Sequence, residues 1–126
     1  MDIYLLRTSS RIEAAPGAAD APRGLSLEGR RLVRALATKL RDPDPPSFDR
    51  VLTSPDPAAV QTAELFAERV DHVGVVEVLP SLAGGVPPHV LAPVLLERGD
   101  SVLVVADEPA LSALGAFLVG RPTFPP

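Results

Sequence analysis

Along this chain, short apolar runs alternate with longer stretches of helical period. Ile3-Tyr4-Leu5-Leu6 is a run of strand formers and predicts a buried strand over residues 2–6. From Thr8 to Gly24 the period disappears among Ser9, Ser10, Pro16, Gly17, Asp20 and Pro22, which predicts a long loop of the kind that often carries function. Ser26 suits an N-cap for a helix running to about Leu40, with Gly29, Leu32, Val33, Leu36, Ala37 and Leu40 on its apolar face. Glu28, Arg30, Arg31, Arg34 and Lys39 fall largely elsewhere, and the arginines read as a solvated face. Pro43, Pro45 and Pro46 stop that helix, because proline cannot continue the backbone ladder. Phe48 to Thr53 predicts a second strand. Ser54 is then the expected cap of a second helix, with Pro55 in its first turn and Ala59, Ala63, Phe66 and Val70 as its stripe.

The same alternation continues. Val73 to Leu79 is valine-rich and predicts a third strand, Pro80 to Pro88 a Gly/Pro loop, and Pro88 to about Glu97 a third helix. Ser101 to Ala106 is the clearest buried strand. Asp107 is placed to cap a fourth helix that stops at Gly120; Ala110, Leu111, Leu114, Phe117 and Leu118 make it apolar nearly all round, so heavy burial is expected. Strand–helix four times in a row predicts one α/β domain over 1–126, a three-layer sandwich with a mainly parallel sheet and helices on both faces. Ligands of such sheets bind beyond the carboxyl ends of the strands, where Arg7, Thr8, Ser54 and Asp107 collect.

Composition narrows the chemistry. With no cysteine, disulfides, thiolate catalysis and cysteine-ligated metals are excluded. His72 and His89 are the only histidines, sit near loops away from the strand ends, and read as surface residues, so neither metal nor cofactor is expected. A net charge of −4 argues against general nucleic-acid binding. The apolar runs are too short to span a bilayer and the N-terminus has no signal-peptide pattern, so a cytoplasmic location is expected. Eleven arginines to one lysine, with abundant Ala and Pro, suggest a GC-rich bacterial genome.

Four segments then resemble the histidine phosphatase superfamily (phosphoglycerate mutase-like), and within it the short SixA-type phosphohistidine phosphatases. Ile3-Tyr4-Leu5-Leu6-Arg7 is similar to the strand ending in that family's Arg-His-Gly or Arg-His-Ala signature. Leu25-Ser26-Leu27-Glu28-Gly29 resembles its Leu-Thr-x-x-Gly helix start. Arg50-Val51-Leu52-Thr53-Ser54-Pro55 with Gln61-Thr62-Ala63-Glu64 resembles its Ser-Pro…Arg-Ala-x-Gln-Thr-Ala stretch, and Val104 to Leu111 its Val-Gly-His-x-Pro-Ala-Leu segment. Each is weak alone; four in order over essentially the whole chain are strong. The resemblance implies a phosphoglycerate mutase-like fold, shortened at the C-terminus, because family members continue past the last helix into another strand. Arg121 to Pro126 is too rich in proline for that, which predicts an open sheet edge suited to self-association or a protein partner.

The resemblance also implies a site and shows it altered. The family's chemistry uses a histidine nucleophile on phosphorus, two arginines and a second histidine that neutralise the phosphoryl oxygens. Matched position by position, Arg7 is retained, Thr8 stands in place of the nucleophile, Ala58 in place of the second arginine and Asp107 in place of the second histidine. A threonine hydroxyl is a poor nucleophile without an activating base, and a carboxylate repels a phosphoryl group. Loss of one oxyanion donor costs roughly a hundred- to a thousandfold in rate. The expectation is a catalytically inactive, pseudo-phosphatase binding or regulatory module with no catalytic residue. The alternatives are a residual phosphohistidine or phosphoester phosphatase and a non-hydrolysing phospho-ligand sensor. Arg7 and Arg11 are the anion-binding candidates, against Arg7 as a structural partner of a carboxylate such as Asp107, and Arg11 as part of a polar loop. Asp107 and Ser54 read as helix caps before they read as reactive groups.

Overall fold

A computed structural model describes residues 2–12, 23–42 and 46–120. The chain runs β1 (Asp2–Arg7), α1 (Leu27–Arg41), β2 (Arg50–Thr53), α2 (Pro57–Arg69), β3 (Val76–Val78), a 3-10 turn (Pro80–Ala83), α3 (Pro88–Leu96), β4 (Ser101–Ala106) and α4 (Ala110–Val119). The four strands form one sheet in the order β1-β4-β2-β3, and every pairing is parallel. This is the α/β sandwich that the alternation implies.

β4 explains the architecture. It lies inside the sheet with neighbours on both sides, so its residues must be apolar on both faces, and Val102 to Ala106 are all buried. Period-two alternation sends Leu103 and Val105 to one face, where they meet Val33 and Ala37 of α1 and Ala63 and Phe66 of α2. Val102 and Val104 point the other way, into a second core with Leu91 and Leu95 of α3 and Leu111 and Leu114 of α4. Ser26 caps α1, its hydroxyl accepting the Gly29 N–H at 2.9 Å.

Several boundaries differ from expectation, each for a local reason. β3 is only three residues long; it borders β2 alone, and Val73 and Val75 of the valine run are 94% and 79% exposed. α2 is capped at Asp56, with Pro57 as its first residue, and no side chain closes the cap, so Ser54 is not the cap. α4 starts at Ala110 after the Glu108-Pro109 turn, and Asp107 does not cap it: its carboxylate turns to Arg11. Glu108 takes over instead, accepting the Ser112 N–H at 2.9 Å.

The apolar faces of α1 and α4 are also less covered than their patterns imply. Leu32, Leu36 and Leu40 of α1 stay 42%, 40% and 46% exposed, and Phe117 and Val119 of α4 are likewise exposed. The sheet order gives the reason: β1 is an edge strand, and among the described residues nothing lies beyond it. Residues 121–126, on which the expected absence of a further strand rested, lie outside the described residues, as do 13–22 of the long loop. Among the described residues no helix is long and apolar enough to cross a membrane.

Candidate functional site

The parallel ladder sets the level of the site. Past the end of β1 the Thr8 N–H donates to the Ala106 carbonyl at 3.1 Å, and past the end of β2 the Ser54 N–H donates to the Val105 carbonyl at 3.0 Å. Thr8, Ser54 and Asp107 therefore all emerge at the carboxyl rim of the sheet. Arg7, Thr8, Arg11, Arg23, Asp107 and Glu108 line an open cleft of about 480 Å³ there.

Arg11 dominates this cleft. The long loop closes as a strap: Arg11 and Leu25 form an antiparallel bridge, flanked by Ile12 N–H to Gly24 carbonyl at 3.0 Å and Ser26 N–H to Ser10 carbonyl at 2.9 Å. The strap carries the Arg11 guanidinium across the rim, where Nη2 donates to the carboxylates of Asp56 and, at 2.5 Å, Asp107. The hydrogen bond to Asp107 holds the guanidinium pKa above its ordinary value, against the opposing effect of burial, with Asp56 adding to the rise. Arg7 lies half-exposed, its Nη2 3.9 Å from Glu108 Oε2. The pairing of Arg7 with Asp107 that the sequence suggested is thus not the one formed: Arg11, held in the strap by its bridge to Leu25, takes Asp107, and Arg7 lies by Glu108. Arg11 is no mere solvated loop residue.

The charges of the cleft are only partly paired. Arg11 is held by Asp56 and Asp107 and Arg7 lies 3.9 Å from Glu108, whereas Arg23 donates to the Ile12 carbonyl at 3.1 Å. A phosphate entering the cleft would have to displace carboxylates already bound to Arg11. Beneath the charged layer, the hydroxyls of Thr8 and Ser54 are buried without a hydrogen-bond partner among the described residues.

Of the sequence candidates, Arg7, Thr8, Arg11 and Asp107 come together, and Ala58 does not join them at the cleft wall. Ala58 is fully buried in the first turn of α2, among the core residues. It lies below the strap: the Ser9 N–H donates to Thr62 Oγ1 at 3.2 Å, and that hydroxyl donates to the Ala58 carbonyl at 2.8 Å. Gln61 holds the other limb, its Oε1 accepting the Leu25 N–H at 2.7 Å. Gln61 and Thr62 belonged to a quoted motif without an assigned role; here they position the strap that positions Arg11. Asp56, Arg23 and Glu108 were missed as site residues, and their signal was only adjacency to Ser54-Pro55, to the loop and to Asp107. His72 packs near Phe48, with ring centroids 6.5 Å apart, and His89 is exposed on α3. Neither lines the cleft, and among the described residues no group of three or more His, Asp or Glu is placed to hold a metal ion.

No protein-family model matches the chain, and no curated protein matches it. Solved structures do. The protein histidine phosphatase SixA complexed with tungstate superposes with a TM-score of 0.80 at 28% identity, over 92% of this chain and 75% of that one. A protein assigned as phosphohistidine phosphatase SixA from Agrobacterium tumefaciens gives 0.72 at 23% identity, covering 94% and 76%. The alpha-ribazole phosphatase from Shigella flexneri gives 0.72 at 20% identity, covering 97% and 81%. In fold, the chain matches members of the histidine phosphatase superfamily, SixA phosphohistidine phosphatases and alpha-ribazole phosphatases among them.

Proposed function

We propose that this domain binds without hydrolysing: a histidine phosphatase fold used as a protein-binding module rather than a phosphoryl-transfer enzyme. The observation that carries this reading is the Arg11 guanidinium held between Asp56 and Asp107 at the rim of the sheet. Phosphoryl transfer in this superfamily needs a nucleophile on phosphorus and cationic donors aimed at its oxygens. Here the residue after β1 is Thr8, whose hydroxyl has no hydrogen-bond partner among the described residues, and the Arg11 guanidinium is already engaged by two carboxylates. The SixA neighbour is complexed with tungstate, an oxyanion. In this chain the guanidinium that crosses the rim, Arg11, is already engaged by two carboxylates with which such an anion would have to compete.

The surface left for binding is the β1 edge. Asp2 and Thr8 donate their N–H groups inward to Asp100 and Ala106, so alternation turns the N–H groups of Ile3, Leu5 and Arg7 outward. Beside this edge runs an apolar groove of about 310 Å³, lined by Tyr4, Leu6, Leu36, Leu40 and Phe48 among others. An extended segment of another chain, in the simplest case a second copy, would add hydrogen bonds to the edge and apolar side chains to the groove.

The test of the catalytic half is turnover of a phosphohistidine peptide and of p-nitrophenyl phosphate by the purified domain beside its Thr8→Ala variant. The reading expects both proteins to match the buffer blank. Turnover by the wild type that vanishes in Thr8→Ala would establish a residual phosphatase and overturn it.

A further inference from the structure

A second cavity lies on the other side of the β4–α4 turn from the charged cleft. Asp107 and Glu108 of that turn face the cleft, whereas Ala106 and Pro109 face a cavity of about 300 Å³ between α4 and the 80–88 segment. This volume is at the lower end of those that hold small ligands. The cavity stands beyond the carboxyl end of β4, the position where open parallel sheets take ligands. It shares no lining residue with the charged cleft, and its use does not depend on whether the rim hydrolyses anything.

Its lining is chemically uniform. Leu82, Leu91, Leu111 and Leu114 supply a buried apolar floor; among the described residues Ser81 is the only one of the lining with a polar side chain, and none is charged. The wall toward solvent is built from small residues. Gly84 and Gly85 adopt φ of +109° and +80°, where a side chain is disfavoured, and a Cβ at either would meet nothing within 4 Å. The backbone of this loop thus keeps the entrance clear, and Ala110 and Ala113 of α4 do the same from the opposite side.

We propose that this cavity binds a compact apolar group bearing an uncharged hydrogen-bonding end, such as a short aliphatic or single-ring alcohol. The apolar lining selects the body. Ser81 selects the end: it is the polar side chain of the lining, and with no charged side chain among the lining residues an ion would lose its water without gaining a counter-charge, whereas a hydroxyl can be paired.

The experiment is a methyl-resolved NMR titration of the whole domain with 1-hexanol, hexanoate and hexylammonium. Saturable shifts are expected for the methyls of Leu82, Leu91, Leu111 and Leu114 with the alcohol, with at least tenfold weaker binding of the two ions. Ala113→Phe, on an exposed helix position that a ring can occupy without disturbing the core, should weaken the alcohol at least tenfold. Ala110→Leu fills the same space from a second position, and should act likewise where Ala113→Phe alters the spectrum of the free protein. The proposal is overturned by an absence of saturable shifts, by equal affinity for alcohol and ions, by shifts centred on Leu6, Leu36 and Leu40 instead, or by indifference to both fillings.

Discussion

Arg11 shows how much of a site can turn on one side chain whose partners are remote in sequence. Asp56 and Asp107 lie 45 and 96 positions away from it, so no local pattern connects the three. The residue type and the loop were legible: Arg11 was an anion-binding candidate, and the unperiodic stretch around it marked a functional loop. Which acids it met was not, because Asp107 had an equally good local use as a helix cap. The group is partly exposed, so its ion pairs are screened and Arg11→Ala should cost about 1–2 kcal/mol, not more. In an Asp56→Asn, Asp107→Asn background the same change should cost close to nothing, and urea denaturation of the four proteins measures that coupling. Equal costs in both backgrounds would mean the ion pairs are not formed. Because the folded pKa of Arg11 is raised, its contribution is complete below the unfolded value and fades only in strong alkali, so this group adds no pH dependence near neutrality.

At the scale of elements, the strap meets α1 through close approach as well as hydrogen bonds, the Ser9 hydroxyl donating to the Gly29 carbonyl at 2.8 Å. Gly29 falls on the apolar face of α1, as its spacing shows, but its reason for being glycine is invisible in that pattern. A Cβ there would sit 2.2 Å from the Ser10 carbonyl oxygen, in the limb that leads to Arg11. Replacing an interior helical glycine by alanine ordinarily stabilises by roughly 0.5–1 kcal/mol. Gly29→Ala should do the opposite, losing about 1–3 kcal/mol as the strap is pushed off α1. Chemical denaturation decides, and a stabilised variant would show that the strap is not packed as described. The helix caps carry the same lesson. Ser26 was legible because its hydroxyl meets an N–H three residues on, whereas Ser54 and Asp107 satisfy the same residue preference and cap nothing.

For the whole molecule, the order of elements, the parallel sheet and the two-faced core follow from patterning, since β4 can be apolar throughout only if it is covered on both sides. The half-exposed leucines of α1 do not follow, because the pattern shows which face is apolar but not whether anything arrives to cover it. That uncovered region makes the clearest prediction about assembly. If the β1 edge pairs with a second copy, sedimentation equilibrium of the wild type should show concentration-dependent dimers. Tyr4→Lys, which puts a charge beside the edge at a position already 42% exposed, should leave monomers with unchanged fold. A wild type that stays monomeric at high concentration would remove self-association and leave only a foreign strand as occupant of the edge. At the rim, the Arg11 guanidinium is already engaged by the carboxylates of Asp56 and Asp107. Calorimetric titration of inorganic phosphate into the wild type and into Asp56→Asn, Asp107→Asn tests this directly. The wild type should give no saturable heat and the double variant, with Arg11 released, at least tenfold tighter phosphate binding. Saturable phosphate binding by the wild type, unimproved in the double variant, would contradict it.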